Sequence, residues 1–103
     1  MTEAWRIEIE GSITPETANI LEEVAQERAR QFQKFGDQNS VTQPSWIIIE
    51  GEEFGEVCRA LYEYAHTKDV AHLKNLREEW LQVAAVACAA VEALDAETMR
   101  EMQ

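Results

Sequence analysis

Glu53 and Glu56 stand three residues apart in a stretch with helical hydrophobic spacing, so their carboxylates fall on one side of a helix. Winding that stretch at about 100° per residue places Ile47, Phe54, Val57, Cys58 and Leu61 on its apolar face. Glu53 and Glu56 lie beside that face, in register with Ile49 and Ala60, while Glu52, Arg59 and Glu63 take the solvated side. A later stretch repeats the arrangement. Its core face is Leu73, Leu76, Trp80, Val83, Ala84, Ala87, Val91 and Leu94, with Glu79 at the edge, Gln82 three residues on, and Glu78 facing away. Three carboxylates converging on a bundle seam cost several kcal/mol unless protons, cations or a metal compensate. The donors are all oxygens, with no Cys or His on these lines, which suits a hard cation such as Mg²⁺ or Mn²⁺. The competing reading has the glutamates solvated at the rim and paired with Arg28; two pairs on two helices favour a site. His72, on nearly the same face as Glu79, reads as a helix-start core residue rather than a ligand.

An earlier helical stretch carries the cationic counterpart. Leu21, Val24, Ala25, Phe32 and Phe35 form its apolar stripe, yet Arg28 falls inside the stripe, Gln31 at its border, and Lys34 and Gln38 along the same edge. Other chemistries have less to stand on. The four glycines, Gly11, Gly36, Gly51 and Gly55, are scattered and build no phosphate loop. Gly51 and Gly55 inside a helix mark either close packing or room for a ligand beside the carboxylates. Cys58 and Cys88 sit in apolar helical patterns with no His and acid arranged to make a nucleophile, and read as reduced, buried thiols.

These side chains must be positioned by helices. Thr14-Pro15 is a cap followed by proline at the first helical position, which predicts a helix over 14–35 stopped by Gly36. A polar, turn-rich loop follows, and Ser45 is expected to cap a second helix over 46–65. A third is expected over 69–94, with residues 95–103 forming a short fourth helix capped by Asp95. The opening Trp5-Arg6-Ile7-Glu8-Ile9-Glu10 alternates like a strand but has nothing local to pair with. The expected organisation is therefore an N-terminal arm, 1–13, and an all-α domain, 14–103, built as a small up-and-down bundle.

With 103 residues and 46% hydrophobic content, the chain is expected to be one small globular domain. Twenty acidic residues against nine basic give a net charge of −11, which repels phosphate backbones and argues against nucleic-acid binding. No uncharged run is long and apolar enough to span a bilayer, and Met1 is not followed by a signal-peptide pattern, so a cytoplasmic protein is expected. A domain this small with apolar faces as long as that from Trp80 to Leu94 calls for a partner, and a homodimer or homotetramer is expected.

The string Glu52-Glu53-Phe54-Gly55-Glu56-Val57, followed at a distance by Glu79-Trp80-Leu81-Gln82-Val83, resembles the MazG-like nucleotide pyrophosphohydrolases of the all-α NTP pyrophosphatase group, whose signature is EExxE and then ExxD. The segment from Glu27 to Gln38 is similar to the first-helix segment of short members, and the resemblance covers roughly residues 20–94. It implies that Glu53, Glu56 and Glu79 ligate Mg²⁺ and carry the chemistry, with Glu52 close by and Gln82 as a neutral ligand. It also implies cleavage of nucleoside triphosphates between the α and β phosphates, releasing monophosphate and pyrophosphate. Magnesium would bridge protein carboxylates and phosphate oxygens, which is how an acidic protein could hold an acidic substrate. Arg28, Lys34, Lys74 and Arg77 are the cations available to the phosphate tail, with Gln31 and Gln38 on the same edge as Lys34. Gln82 departs from the signature, standing where it has aspartate, and only Arg100 remains of the basic residues that longer relatives carry beyond this block. The missing charge favours a second reading, a non-catalytic helical interaction or nucleotide-sensing protein that kept the bundle and lost turnover.

Overall fold

The computed structural model describes residues 11–103, and the alternating segment 5–10 lies outside them. Three helices make up the described chain: α1 (Pro15–Phe35), α2 (Gln43–Thr67) and α3 (Ala71–Glu101). The class is all-α, as the periodicity requires. None of these helices is long and apolar enough to cross a membrane.

The ends follow from local chemistry. Thr14 caps α1 by accepting a hydrogen bond from the Thr17 N–H at 3.1 Å, with Pro15 in the first turn. Gly36 stops the helix with φ 71°, a left-handed value that a side chain resists, and donates its N–H to the Phe32 carbonyl at 2.7 Å. α2 begins earlier than expected. Thr42 rather than Ser45 is the N-cap residue, Pro44 fits in the first turn, and the Ser45 hydroxyl accepts from the Thr42 hydroxyl at 3.1 Å. Lys68 closes α2 in the left-handed region, and the Asp69 carboxylate accepts the Ala71 N–H at 2.9 Å as α3 starts. α3 then runs unbroken to Glu101, so the separate helix expected over 95–103 is its continuation. Nothing between Leu94 and Glu101 breaks a helix, and the Thr98 hydroxyl simply donates back to the Leu94 carbonyl.

α3 is the spine. α2 packs along it and α1 packs on it separately, while α1 and α2 do not pack on each other. An open angle between α1 and α2, floored by α3, is the result. The core at this floor is Trp46 against Val86, Ala89 and Ala93, with Val41, Ile49 and Ala90 partly buried around it. Alanines let the indole approach the α3 backbone, and Gln43 reaches over to donate to the Ala90 carbonyl at 3.1 Å.

The buried line is rotated from the one the apolar pattern marks out. Ala85, Val86, Ala89 and Ala93 are the buried residues of α3, whereas Leu73, Trp80, Val91 and Leu94 are exposed. On α2, Trp46, Val57 and Ala60 are buried while Ile47, Phe54 and Leu61 are open, and on α1 Phe32 and Phe35 are open. Both cysteines are exposed, which corrects the expectation of buried thiols: each stands off the contact line that the alanines occupy. The small residues win the intramolecular contact because they allow close helix approach, and the large ones are left on free faces. Phe54 and Trp80 meet edge-on at 6.0 Å on one such face. The radius of gyration, 16.1 Å, exceeds the roughly 13 Å of a compact chain of this length.

Candidate functional site

In the angle between α1 and α2 lies a cleft of about 390 Å³, lined by Arg30, Gln31, Lys34, Phe35 and Gln38 on the α1 side, Trp46, Ile49 and Glu53 from α2, and Gln82 and Val86 from α3. Its chemistry is divided. Glu53 and the glutamates around it make one side acidic, Arg30 and Lys34 make the opposite edge basic, and the wall formed by Phe35, Trp46, Ile49 and Val86 is apolar.

The acidic side is a set of like charges with little to neutralise them. Burial pushes the Glu53 carboxyl above its ordinary value, and the charges of Glu56, Glu52 and Glu27 push it further. Glu79 is raised for the same reasons, first by burial and then by Glu56, Glu53 and Glu78. Glu50, one turn before Glu53, is raised by burial and by Glu53, and its Oε1 is buried with no hydrogen-bond partner. Among the described residues, Glu56 pairs with Arg59 at 3.8 Å across an exposed i,i+3 pair, and Glu27 pairs with Arg30. Arg28, the counter-charge that rim pairing requires, is elsewhere: its Nη2 donates to Glu92 at 2.5 Å and its Nη1 to Gln31 at 2.9 Å. Pairing of the glutamates with Arg28 is therefore overturned.

The structure gathers some of the sequence-derived residues at the cleft and leaves others away from it. Glu53, Gln82, Gln31, Lys34 and Gln38 line it. Glu52, Glu56 and Glu79 do not line it but act on it through their charges, Glu52 and Glu56 on Glu53, and Glu56 and Glu53 on Glu79. Arg77 is spent on Glu23 of α1, donating both guanidinium nitrogens at 3.0 and 2.5 Å, and Lys74 is exposed near the start of α3. Neither they nor Arg28 line the cleft. Arg30, Trp46, Glu50 and Glu27 are the residues the sequence reading passes over. Arg30 bridges this cleft and a polar groove of about 420 Å³ between α1 and α3, bordered by Glu23, Glu27, Glu78 and Gln82. Glu27 binds Arg30 along one turn of α1, and that bond is the main reason its carboxyl is held below the ordinary value. Spacing flags Glu50 as the turn before Glu53, and the Glu27–Arg30 pair as i,i+3 neighbours.

Carboxylate and amide oxygens are the donors a hard divalent cation requires, and an orphaned buried oxygen on Glu50 marks carboxylates lacking a counter-charge. Among the described residues no three His, Cys, Asp or Glu side chains stand close enough to grip an ion as they are. Comparison with known protein families, curated proteins and solved structures finds no match to the chain.

Proposed function

We propose that the protein is a Mg²⁺-dependent nucleoside triphosphate pyrophosphohydrolase that converts (d)NTP to (d)NMP and pyrophosphate, acting in the cytoplasm to clear the nucleotide pool. The observation that carries this reading is a cleft with the like-charged carboxylate Glu53 on one side and Lys34 on the other, beside Arg30, which pairs with Glu27. Glu53 is raised by burial and by the charges of Glu56, Glu52 and Glu27, and Glu79 by burial and by the charges of Glu56, Glu53 and Glu78, while Lys34 and Arg30 line the cleft with Glu53. A metal–polyphosphate pair matches both sides at once; a simple anion or a simple cation matches one.

Glu53, Glu56 and Glu79, with Glu52 and Gln82 alongside, are the residues that would hold Mg²⁺, which when bound supplies charge neutralisation of the phosphates and a more acidic water. The chain's own groups do the rest. Lys34 would meet the phosphate tail, with Arg30 beside it once released from Glu27, and Gln31 and Gln38 offer amides at the same edge. Hydrolysis adds water at the α phosphorus and breaks its bond to the bridging oxygen, so pyrophosphate leaves. The proton that this water loses is left on the products or passes to solvent.

The open faces bearing Phe54, Trp80, Val91 and Leu94 are best covered by further copies of the chain, as a homodimer or homotetramer. One observation favours the non-catalytic alternative: Gln82 is tied to Glu27 rather than standing free beside Glu79. Pyrophosphate release from a panel of NTPs and dNTPs, with and without Mg²⁺, separates the two. Mg²⁺-dependent release is expected, and nucleotide binding without release in any condition supports the sensor reading instead.

A further inference from the structure

α3 carries two apolar seams, and the chain packs only one of them. Ala85, Val86, Ala89 and Ala93 are buried. On the opposite side of the helix Trp80, Ala84, Ala87, Val91, Leu94 and Thr98 recur at alternating spacings of four and three residues, the period of a coiled-coil seam. Trp80 is 49%, Val91 56% and Leu94 45% exposed, Ala87 and Thr98 are exposed as well, and Ala84 is partly buried. No charge interrupts these positions, although the chain carries a net charge of −11. The Thr98 hydroxyl is satisfied within the helix, donating to the Leu94 carbonyl, so it can meet an apolar neighbour.

We propose that this second seam pairs with its equivalent on a second copy of the chain, α3 running antiparallel to α3 about a two-fold axis. The inference deepens the assembly proposed above by naming its face and direction. It is independent of the catalytic reading, since none of these residues lines the cleft. Direction follows from side-chain size. A parallel pair sets Trp80 on Trp80 and then Ala84 on Ala84 and Ala87 on Ala87, so crowding and gaps alternate. An antiparallel pair with Ala87 level with Val91 of the second copy sets Ala84 against Leu94 and Trp80 against Thr98. Every level then joins a small side chain to a larger one. The same register continues to Arg77 opposite Glu101 at each end, an opposite-charge contact, and the Arg77 side chain is still 54% exposed beside Glu23. The area fits a second copy too. The exposed fractions of Leu73, Trp80, Val91 and Leu94, with Ile47 and Phe54 on the α2 flank, come to about 600 Å² of large side chain, most of the roughly 800 Å² that each partner gives to a standard interface.

Sedimentation equilibrium tests the face and disulfide trapping tests the direction. Wild type is expected to sediment as two chains or a multiple of two. Ala87→Glu places a carboxylate against Val91 on both sides of the axis, and the dissociation constant should rise at least about a hundredfold, because each charge is buried without a partner. Position 87 is open in the single chain, so the helix content seen by circular dichroism should not change. If it does change, Val91→Glu replaces that variant. Ile20→Glu, on an exposed part of α1, should leave the mass as it is. For direction, Cys58 and Cys88 are first replaced by serine, and chains carrying Ala87→Cys are mixed with chains carrying Val91→Cys. Mild oxidation should then yield the mixed disulfide in preference to either self-pair. A monomeric wild type overturns this pairing together with the assembly proposed above. A folded Ala87→Glu that stays associated, or an equal loss in Ile20→Glu, overturns the seam alone. Self-paired disulfides in excess mark a parallel arrangement and overturn the direction.

Discussion

Replacing Glu53 by glutamine is expected to make the metal-free protein more stable and the Mg²⁺-loaded protein less stable than wild type. Glu53 carries the charges of three neighbours, Glu56, Glu52 and Glu27, in addition to its partial burial. A like-charge pair at a partly solvated site costs about 0.3 kcal/mol, so three such pairs together come to about 1 kcal/mol. Glutamine keeps the shape, loses the charge and removes that cost, which raises the melting temperature by about 4–8 °C for a domain of this size. Binding of a cation to the native state works in the opposite direction. At a hundredfold excess over its dissociation constant it stabilises wild type by about 2.7 kcal/mol, a gain the variant mostly forfeits. The order of stability should therefore invert by about 2 kcal/mol as Mg²⁺ is added. Thermal and urea unfolding of both proteins, with EDTA and then with a Mg²⁺ series, read the crossover. A metal-free variant that melts below wild type, or two curves that shift together with Mg²⁺, would refute the reasoning.

Three further outcomes are expected. Metal-free wild type should gain stability as pH falls from 7 toward about 4.5: Glu50, Glu53 and Glu79 have raised native pKa values, so the native state takes up protons first and sheds their repulsion. Below about 4.5 the trend should reverse, because the lowered groups Glu23 and Glu27 then lose their arginine pairing; urea midpoints that fall steadily from pH 7 contradict this. Arg28→Ala should cost about 2 kcal/mol at the urea midpoint, because it strips Glu92 and buried Gln31 of their donor, and a neutral result would mean that the α1–α3 network does not hold the helices together. Trp80→Ser should shift the mass seen by light scattering toward that of one chain, whereas a wild-type protein that is already monomeric at micromolar concentration removes the proposed assembly.

Helix existence and most helix ends are legible in the sequence because they depend on neighbours only. Thr14, Pro15 and Gly36 act within one turn of themselves, and the structure places α1 between them. The continuation of α3 past Asp95 was harder to see, because an acidic residue reads as a cap only if the chain turns there, and nothing before it makes the chain turn. The buried face departs from the apolar pattern for a physical reason. Hydrophobic size draws attention to Leu73, Trp80, Val91 and Leu94, yet helix contact within one chain is decided by how closely backbones approach, and Ala85, Ala89 and Ala93 allow more. For the site, Glu53 and Glu56 on one helix edge could be read from spacing alone. The contact of Glu27 with Gln82 could not, since it depends on the register of α1 against α3, which no local pattern specifies. The same holds for Arg28, whose partner Glu92 lies on a different helix from the glutamates it was expected to neutralise.

Under the proposed function, carboxylates around Glu53 and the cations at Arg30 and Lys34 cleave a triphosphate between its α and β phosphates. Phosphorus NMR of the products from each NTP and dNTP, with wild type and Glu53→Gln, in Mg²⁺ and in EDTA, measures this most directly. For at least one nucleotide, wild type in Mg²⁺ should yield monophosphate and pyrophosphate in equal amounts. The yield should vanish in EDTA and fall at least about a hundredfold in Glu53→Gln. Diphosphate and orthophosphate as the products, no turnover of any nucleotide by wild type in Mg²⁺, or full turnover by Glu53→Gln would contradict the claim.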